Sequence, residues 1–419
     1  MTVAHGTGVA AWPRHRPGLR ETLAPVWALA RKELYQRIVT LWFGVFCAGF
    51  SVLPGEWEQR WLFYVGIPLA LPAVVHATRR LAGGALFWAL TAFLVYSGFS
   101  ALWSDNWLTV GDELRRAFWI EYLLLICCAI GETSLPFLRL VLQGVLLFAA
   151  AVAIYAVADF FHGCVDCGRL TGFGAHSNSN YTATIAGAVA LLGLAAVFSG
   201  PGVPSLGLLA AQAPLCALLI ATGSRAALAG YLGALVLSAA LVLRRAGKRH
   251  AARAIAAVLG CVAVAVGAMA LLGRDWLRTE IARGDSLRLH IWSENLQRIT
   301  RRPWFGHGAT TPDLVPLEGG EIGIHAHNMF LAQGFYGGAV GCALWVAVLA
   351  LAMLVALRVW RRRGELLPLV PLGFLLVVGA VDIGPVVVDV QPPWLYVWVV
   401  LGIVLAYDTD LRRRAITSR

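Results

Sequence analysis

Charged residues are scarce in this chain. They make up 14% of its 419 residues, whereas hydrophobic residues make up 59%; ordinary soluble domains carry about a quarter charged residues. The mean hydropathy is correspondingly high, at +0.71. These values exclude an ordinary soluble domain. Apolar runs of about 20 residues, long enough for a helix to cross the hydrocarbon layer of a bilayer, recur from Trp42 to Tyr407.

Motifs that bind cofactors are also missing from the sequence. It contains no glycine-rich nucleotide loop, no aspartate-rich motif for a divalent cation and no serine-hydrolase elbow. His325 and His327 are two residues apart, but a zinc site needs further ligands, for which His307 or Glu321 would have to be recruited without an obvious geometry. We therefore expect neither a cofactor nor a metal ion.

Lysine is nearly absent as well. Lys32 and Lys248 are the two lysines among 34 basic residues, and the formal net charge is +11. The basic residues gather in the breaks between apolar segments and form no single soluble surface, so we expect no nucleic-acid partner. If the N-terminus is cytoplasmic, the connections on that side carry most of the arginines, as the positive-inside rule requires.

The apolar pattern predicts an all-α, polytopic integral membrane protein with about twelve transmembrane helices and both termini in the cytoplasm. We expect a cytoplasmic N-terminal segment at 1–37, a transmembrane domain at 38–408 and a cytoplasmic tail at 409–419. The predicted spans lie at residues 38–54, 61–77, 84–103, 117–132, 135–160, 180–199, 205–222, 226–243, 255–273, 327–356, 366–384 and 392–408.

One connection is far longer than the others. Residues 274–326 join spans nine and ten and are predicted to form a periplasmic loop. Within it, the amphipathic pattern LRLHIWSENLQRI at 287–299 predicts a short helix at the membrane surface. A loop of this length in a compact helical bundle is more often functional than an inert connector.

Eight cysteines are present, and six of them lie in predicted spans, where a free thiol behaves as a small apolar residue. The exceptions are Cys164 and Cys167, in a predicted periplasmic loop. They are compatible with a small structural disulfide, with two unpaired thiols, or with metal or redox chemistry, and we favour the disulfide.

Unusual polar residues fall on the predicted periplasmic face. Arg169 lies in the segment RLTGFGAHSNSN with Asn178 and Asn180. Arg225 follows Ser224 in a tight turn, and Arg288 lies in the long loop. Interfacial snorkelling is the simpler explanation for one arginine, but it would apply equally to lysine, which is missing from this side. Three converging guanidinium groups suit a diphosphate, because their forked donors match phosphate oxygens.

The segment HAHN at 325–328 opens the tenth predicted span. Histidine has a pKa near 6.5 and is suited to removing a proton from a sugar hydroxyl. If this segment is the start of a helix, the rings of His325 and His327 diverge and one of them faces the site. A packed or capping histidine is the alternative interpretation.

The ordered motifs RLTGF, GSRAALAG, RLHIW, RPWFGHG and HAHNMFLAQGFYGGAVG resemble the O-antigen ligase and polymerase superfamily over roughly residues 165–345. The resemblance implies an inverting, metal-independent glycosyltransferase that takes a glycan from undecaprenyl diphosphate in the periplasm. For a ligase of the bacterial inner membrane, the acceptor would be lipid A-core and the product lipopolysaccharide. Surrounding membrane lipids complete the expected partners.

The resemblance also implies roles for single residues. Arg169, Arg225 and Arg288 would bind the diphosphate, and a histidine of HAHN would be the general base. The superfamily histidine immediately precedes asparagine, which favours His327, while His325 stays an alternative. The resemblance further suggests supporting roles for Asn178, Asn180, Ser224, Trp292 and Asn328.

Other functions are compatible with the same motifs. An O-antigen polymerase or a protein O-oligosaccharyltransferase would use the same donor with a different acceptor. A lipid-linked glycan transporter or flippase would also gather arginines, but transporters commonly carry substrate groups near the middle of the membrane, whereas the polar residues here cluster at one face.

Overall fold

The structure of the protein is a computed structural model. It describes residues 28–29, 33–53, 56–78, 84–105, 109–163, 168–172, 178–199, 205–245, 249–250, 252–253, 255–261, 263–264, 267, 282, 284, 287–316 and 322–417. Cys164 and Cys167, and with them the predicted disulfide, lie outside these residues. The described cysteines, Cys47, Cys127, Cys128, Cys216, Cys261 and Cys342, are free thiols.

The described chain is almost entirely helical. Its helices are α1 (Glu33–Gly49), α2 (Glu56–Thr78), α3 (Ala85–Ser100), α4 (Val110–Thr133), α5 (Leu135–Gly163), α6 (Ser179–Phe198), α7 (Leu206–Ala210), α8 (Gln212–Ala221), α9 (Arg225–Arg245), α10 (Arg288–Arg301), α11 (Met329–Arg363), α12 (Val370–Gly379) and α13 (Val400–Thr417). A short 3₁₀ turn, Ala101–Trp103, continues α3, and one wide turn of π-helix, Trp394–Val399, leads into α13.

Seven described helical segments are long and apolar enough to cross a membrane, and the protein is therefore a multi-pass membrane protein. They are Glu56–Thr78, Ala85–Trp103, Leu135–His162, Ser179–Phe198, Arg225–Arg245, Met329–Arg363 and Trp394–Ala415. Other predicted spans also coincide with helices, but α1 is only 17 residues long and α12 only 10. Of the ninth predicted span, residues 255–261, 263–264 and 267 are described, and all of them are helical. The count of twelve stays a prediction.

The bundle is organised around α6 and the segment that ends in α13. In both, 89% of the apolar window is buried inside the protein. The last segment packs against α4 and α11, and α6 packs against α5, α8 and α9. Trp345 of α11 and Trp398 of the last segment are completely buried, with ring centroids 6.0 Å apart. The apolar interior is therefore continuous.

The long connection before α11 contains the predicted amphipathic helix, α10, and one feature that an all-α prediction misses. Two three-residue strands, Leu314–Pro316 and Ile322–Ile324, pair antiparallel, with Leu314 opposite Ile324. Their backbone groups lie outside any helix and bond to each other instead. The hairpin brings the chain back towards α10 immediately before the HAHN segment.

A break in α11 holds this connection in place. Gly338 has a φ of 61° inside the helix, a value that glycine adopts without steric cost. The freed carbonyls of Phe335 and Tyr336 accept bonds of 2.8 and 2.9 Å from the N–H groups of His307 and Gly308. The motifs RPWFGHG and GFYGGAVG thus bond to each other through backbone groups, which docks the long connection on α11.

Candidate active site

Asp382 is the residue on which the polar groups of the site converge. It lies just beyond α12, and its side chain is only 1% exposed. Its Oδ1 accepts a hydrogen bond of 2.8 Å from Nη2 of Arg288 and one of 3.4 Å from Nδ2 of Asn180. Nδ1 of His327 is 3.7 Å from the same oxygen. One buried carboxylate therefore connects three segments in which site residues were predicted.

Arg169 joins this group through Asn180. Its Nη2 donates to Oδ1 of Asn180 over 2.7 Å, and its Nε donates to the carbonyl oxygen of Thr222 over 2.7 Å. Asn180 is fixed in the first turn of α6, because the side chain of Asn178 caps that helix by accepting from the N–H of Asn180 at 2.8 Å. The predicted supporting residues Asn178 and Asn180 thus have a structural role beside Arg169.

Arg225 is linked to the site through the chain that precedes Arg288. It begins α9 after a tight turn in which Gly223 has a φ of 64° and Ser224 is buried. Its Nη2 donates to the carbonyl oxygen of Gly284 over 2.5 Å, four residues before Arg288. The arginine itself is exposed. The structure therefore brings Arg169 and Arg288 to Asp382, and places Arg225 between Thr222 and the chain that leads to Arg288.

Neighbouring elements fix the HAHN segment from three sides. The side chain of Asn328 caps α11 by accepting from the N–H groups of Phe330 and Leu331 at 2.9 and 3.0 Å, and its Nδ2 donates to the carbonyl of Ala380 over 2.7 Å. Nε1 of Trp292 donates to the carbonyl of Ala326 over 2.9 Å. The predicted supporting residues Trp292 and Asn328 therefore hold the backbone on both sides of His327.

The prediction that the two histidine rings diverge on a helix start is wrong. The helix begins only at Met329, and His325 and His327 have φ values of 56° and 47°. Left-handed backbone at both positions turns their side chains to the same side, and the ring centroids are 4.4 Å apart. Non-glycine residues adopt this conformation rarely, and such strain is concentrated at functional sites.

The two histidines differ in their surroundings. The His325 ring is so close to Gly384 that a Cβ added there would lie 2.6 Å from Nδ1. Burial, with a smaller contribution from His327, lowers the pKa of His325 to about 3. Burial and then the charge of Arg288 lower the pKa of His327, while a hydrogen bond with the backbone of Asp382 opposes the shift. The side chain of His327 is 29% exposed, and His325 is also only partly buried.

The same environment acts on the acid. Burial raises the pKa of Asp382 to about 6, and the positive charges of Arg288 and Arg169 limit the rise. Near neutral pH the group is therefore mainly a carboxylate. Its Oδ2 has no hydrogen-bond partner among the described residues, and neither does Nδ1 of His325 or His327. Unsatisfied buried polar atoms are costly and therefore uncommon, which makes this cluster a candidate functional site.

A second ion pair, between Arg298 and Asp313, lies beside the histidines. Nη1 of Arg298, on α10, donates to Oδ1 of Asp313 over 2.9 Å, and the carboxylate is 1% exposed. The carbonyl of Asp313 accepts from the N–H of His325 at 2.9 Å. The guanidinium of Arg298 also lies 4.2 Å from the ring centroid of Phe335 on α11. α10, the hairpin and α11 are thereby tied together around the histidines.

This geometry can be compared with known proteins. The chain is 35% identical over 368 residues to an O-antigen ligase of Pseudomonas aeruginosa (strain PAO1), an alignment that covers 85% of this chain and 87% of that protein. It belongs to the O-antigen ligase family. The family model described as O-antigen ligase also matches residues 210–346 of this chain. This range contains Arg225, Arg288 and the HAHN segment.

Asp382 is the site residue that sequence reasoning missed. It lies inside the range 366–384 that was predicted as a span, and the structure corrects that range because α12 ends at Gly379. A signal was present, since an acidic residue inside an apolar segment is costly unless it has a partner or a function. Among the described residues of this O-antigen ligase family member, no three histidine, cysteine, aspartate or glutamate side chains are grouped as metal ligands.

Proposed function

We propose that this member of the O-antigen ligase family transfers a glycan from undecaprenyl diphosphate to a sugar hydroxyl of lipid A-core, at the periplasmic face of the bacterial inner membrane. The observation that carries the proposal is the contact of Arg288, Asn180 and His327 with one carboxylate oxygen of Asp382. A neutral base beside guanidinium groups is what the transfer of a sugar from a diphosphate requires, and this contact supports that assignment.

The arginines act on the leaving group. Arg288, Arg169 and Arg225 would bind the diphosphate oxygens of the donor, and their forked donors suit two phosphates better than a lysine would. Negative charge grows on the oxygen between sugar and phosphorus as the glycosidic bond breaks. Cations fixed around that position stabilise the transition state more than the substrate, which is how they accelerate the reaction.

The histidine acts on the acceptor. Because Nδ1 of His327 is turned towards Asp382, the carboxylate favours the tautomer with its proton on Nδ1. Nε2 is then free of a proton and is the atom that takes the proton of the acceptor hydroxyl. The hydroxyl oxygen attacks the anomeric carbon from the side opposite the diphosphate. The new glycosidic bond forms with inversion, and undecaprenyl diphosphate leaves with the bonding electrons.

The orientation of the bundle supports a periplasmic site. The helix ends opposite Asp382 carry Arg244 and Arg245 on α9, Arg361–Arg363 on α11 and Arg412–Arg414 on α13. The positive-inside rule assigns such clusters to the cytoplasm. Asp382, His327 and the arginines of the site then face the periplasm, where the lipid-linked glycan and lipid A-core would meet.

The decisive experiment supplies purified protein with the lipid-linked glycan and lipid A-core, and no nucleotide. We expect covalent transfer by the wild type and none by His327→Ala. Parallel reactions with a second lipid-linked glycan and with a protein acceptor distinguish a ligase from a polymerase or a protein O-oligosaccharyltransferase. Movement of the donor across vesicles without transfer to any acceptor would establish a transporter and end the enzyme proposal.

A further inference from the structure

A wide apolar cleft opens on the side of the bundle, away from the polar groups described above. α1 forms its floor by packing against both α2 and α5, which form its walls. Its volume is about 1140 Å³, the size of a large ligand cavity. Bulky apolar side chains along it, including Trp61, Leu140 and Phe148, are 63%, 60% and 43% exposed.

Glycine residues, which have no side chain, create part of this space. Gly44, Gly49 and Gly144 all line the cleft. Gly44 allows α1 to lie close to Val141 of α5, so the floor is tight. A Cβ added at Gly144 would meet no atom within 4 Å, so the cleft itself is open at that point of α5.

The cleft leads towards the diphosphate site. Further along α5, Ala149, Val152 and Ala156 line a small cavity of about 30 Å³, together with Gly172 and Thr182. Thr182 lies against Gly172. Thr182 is two residues after Asn180, and Gly172 is three residues after Arg169. One helix, α5, therefore lines the apolar cleft and then a cavity directly beside the Arg169 end of the site.

Charge distinguishes between possible occupants. Glu58 lines the cleft at the end that is nearer to the site. The neighbouring cation, Arg60, is engaged by Glu56 at 3.1 Å and by Asp389 at 3.6 Å. A phospholipid would hold its phosphate directly above its own chains, beside the Glu58 carboxylate, which repels it. A long chain whose anionic head is carried on to Arg169 avoids this repulsion.

We propose that the cleft between α1, α2 and α5 binds the polyprenyl chain of the lipid-linked donor, with the diphosphate held at Arg169. This inference rests on the proposed function, because it assigns the tail of the same donor. Apolar walls solvate the chain without specific hydrogen bonds, so binding grows with the length of chain that the cleft contacts. The donor's KM consequently depends on chain length.

The matched test variants are Gly144→Leu, in the cleft, and Gly233→Leu, on the exposed face of α9. Both glycines are helical and exposed, and a Cβ at either one meets no atom within 4 Å. Leucine also favours a helix over glycine at both positions. The full chain is assayed with a donor carrying the full-length polyprenyl chain and with one carrying two isoprene units, and the ratio of the short-chain KM to the long-chain KM is compared.

We expect the wild type and Gly233→Leu to prefer the long chain by at least tenfold, and Gly144→Leu to lose most of this preference. An unchanged ratio in Gly144→Leu would overturn the proposal. Transfer is not required for a second measurement, in which a polyprenyl diphosphate with a photoreactive chain is crosslinked to the protein. Crosslinks to α1, α2 and α5 that excess polyprenyl diphosphate removes support the proposal, even if no acceptor reacts and the proposed transfer fails.

Labelling of the same helices by a photoreactive phospholipid, undiminished by excess polyprenyl diphosphate, would show that ordinary bilayer lipid fills the cleft. That result overturns the inference and leaves the proposed transfer untouched.

Discussion

Asp382 and Asp410 are buried aspartates at opposite ends of the bundle, and their partners differ. Asp410 accepts hydrogen bonds on both carboxylate oxygens, from Arg363 at 2.5 Å and from Arg413 and Arg414 at 3.1 Å. Asp382 has its partners on Oδ1, and its Oδ2 has none among the described residues. Both oxygens of Asp410 are thus hydrogen-bonded, as expected of a structural ion pair, whereas one oxygen of Asp382 can still accept a hydrogen bond.

The two aspartates differ in how completely their oxygens are bonded rather than in the kind of partner. Both aspartates contact arginine, so the presence of an ion pair does not distinguish them. The difference lies in how completely the carboxylate oxygens are hydrogen-bonded, because an unsatisfied buried polar group lowers stability.

The largest effect is expected at the base. His327→Ala removes the group that takes the acceptor's proton, and we expect kcat for transfer to fall by about 10²–10⁴-fold. His325→Asn is the matched variant, because the ring of His325 lies directly beside that of His327, and we expect less than a tenfold loss. Equal losses in the two variants would contradict the assignment of His327 as the base.

The next largest effects are expected when each of the two aspartates is replaced by asparagine. Asp382→Asn leaves the shape of the side chain but weakens the control of the His327 tautomer, and we expect kcat to fall by about 10²-fold with little change in thermal stability. Asp410→Asn leaves three arginines without their acid, and we expect the free energy of unfolding to fall by about 1–3 kcal/mol, a discounted value because Arg413 and Arg414 are partly exposed.

Both aspartate variants are measured by transfer rate per folded protein and by thermal unfolding in detergent. If Asp382→Asn lost stability and kept its transfer rate, the two ends of the bundle would have to be considered equivalent.

A smaller effect concerns the leaving group. Arg288→Lys keeps a positive charge but removes the forked donors, and we expect kcat/KM for the donor to fall by about tenfold. Arg414→Lys makes the same change at the opposite end, where the guanidinium contacts Asp410 and no substrate, and the donor's kcat/KM is expected to match the wild type. The readout is initial rate against donor concentration for both variants.

The smallest effect is a shift of the pH profile. His327 must be neutral to accept a proton, and its pKa is lowered from 6.5 by burial and by Arg288. Transfer is therefore expected to be retained at pH 6.5 and to decline only at lower pH, as the imidazole becomes protonated. Arg288→Gln removes one of the lowering charges, so the acidic limb of kcat/KM should move to higher pH. A limb that does not move would argue against His327 as the titrating group.

The sequence alone was sufficient for most of the described helices and for placing the predicted site residues at one end of the bundle. Hydrophobic runs identify the helices, since a backbone in hydrocarbon must satisfy its own hydrogen bonds, and each crossing reverses the chain. Arg169, Arg225, Arg288 and His327 could thus be assigned to one end. The short hairpin before His325 could not be anticipated, because three-residue strands leave too little periodic signal.

Only the tertiary structure decided how the residues at that end meet. The bonds of Asp382 to Arg288 and Asn180 join residues 94 and 202 positions apart, and such contacts depend on how the helices pack rather than on any local pattern. The shared direction of the two histidine rings depends on the left-handed backbone before Met329, which the capped start of α11 and the bond to Asp313 hold in place. Local hydrophobicity determines where a helix lies, whereas packing determines which helix ends come into contact.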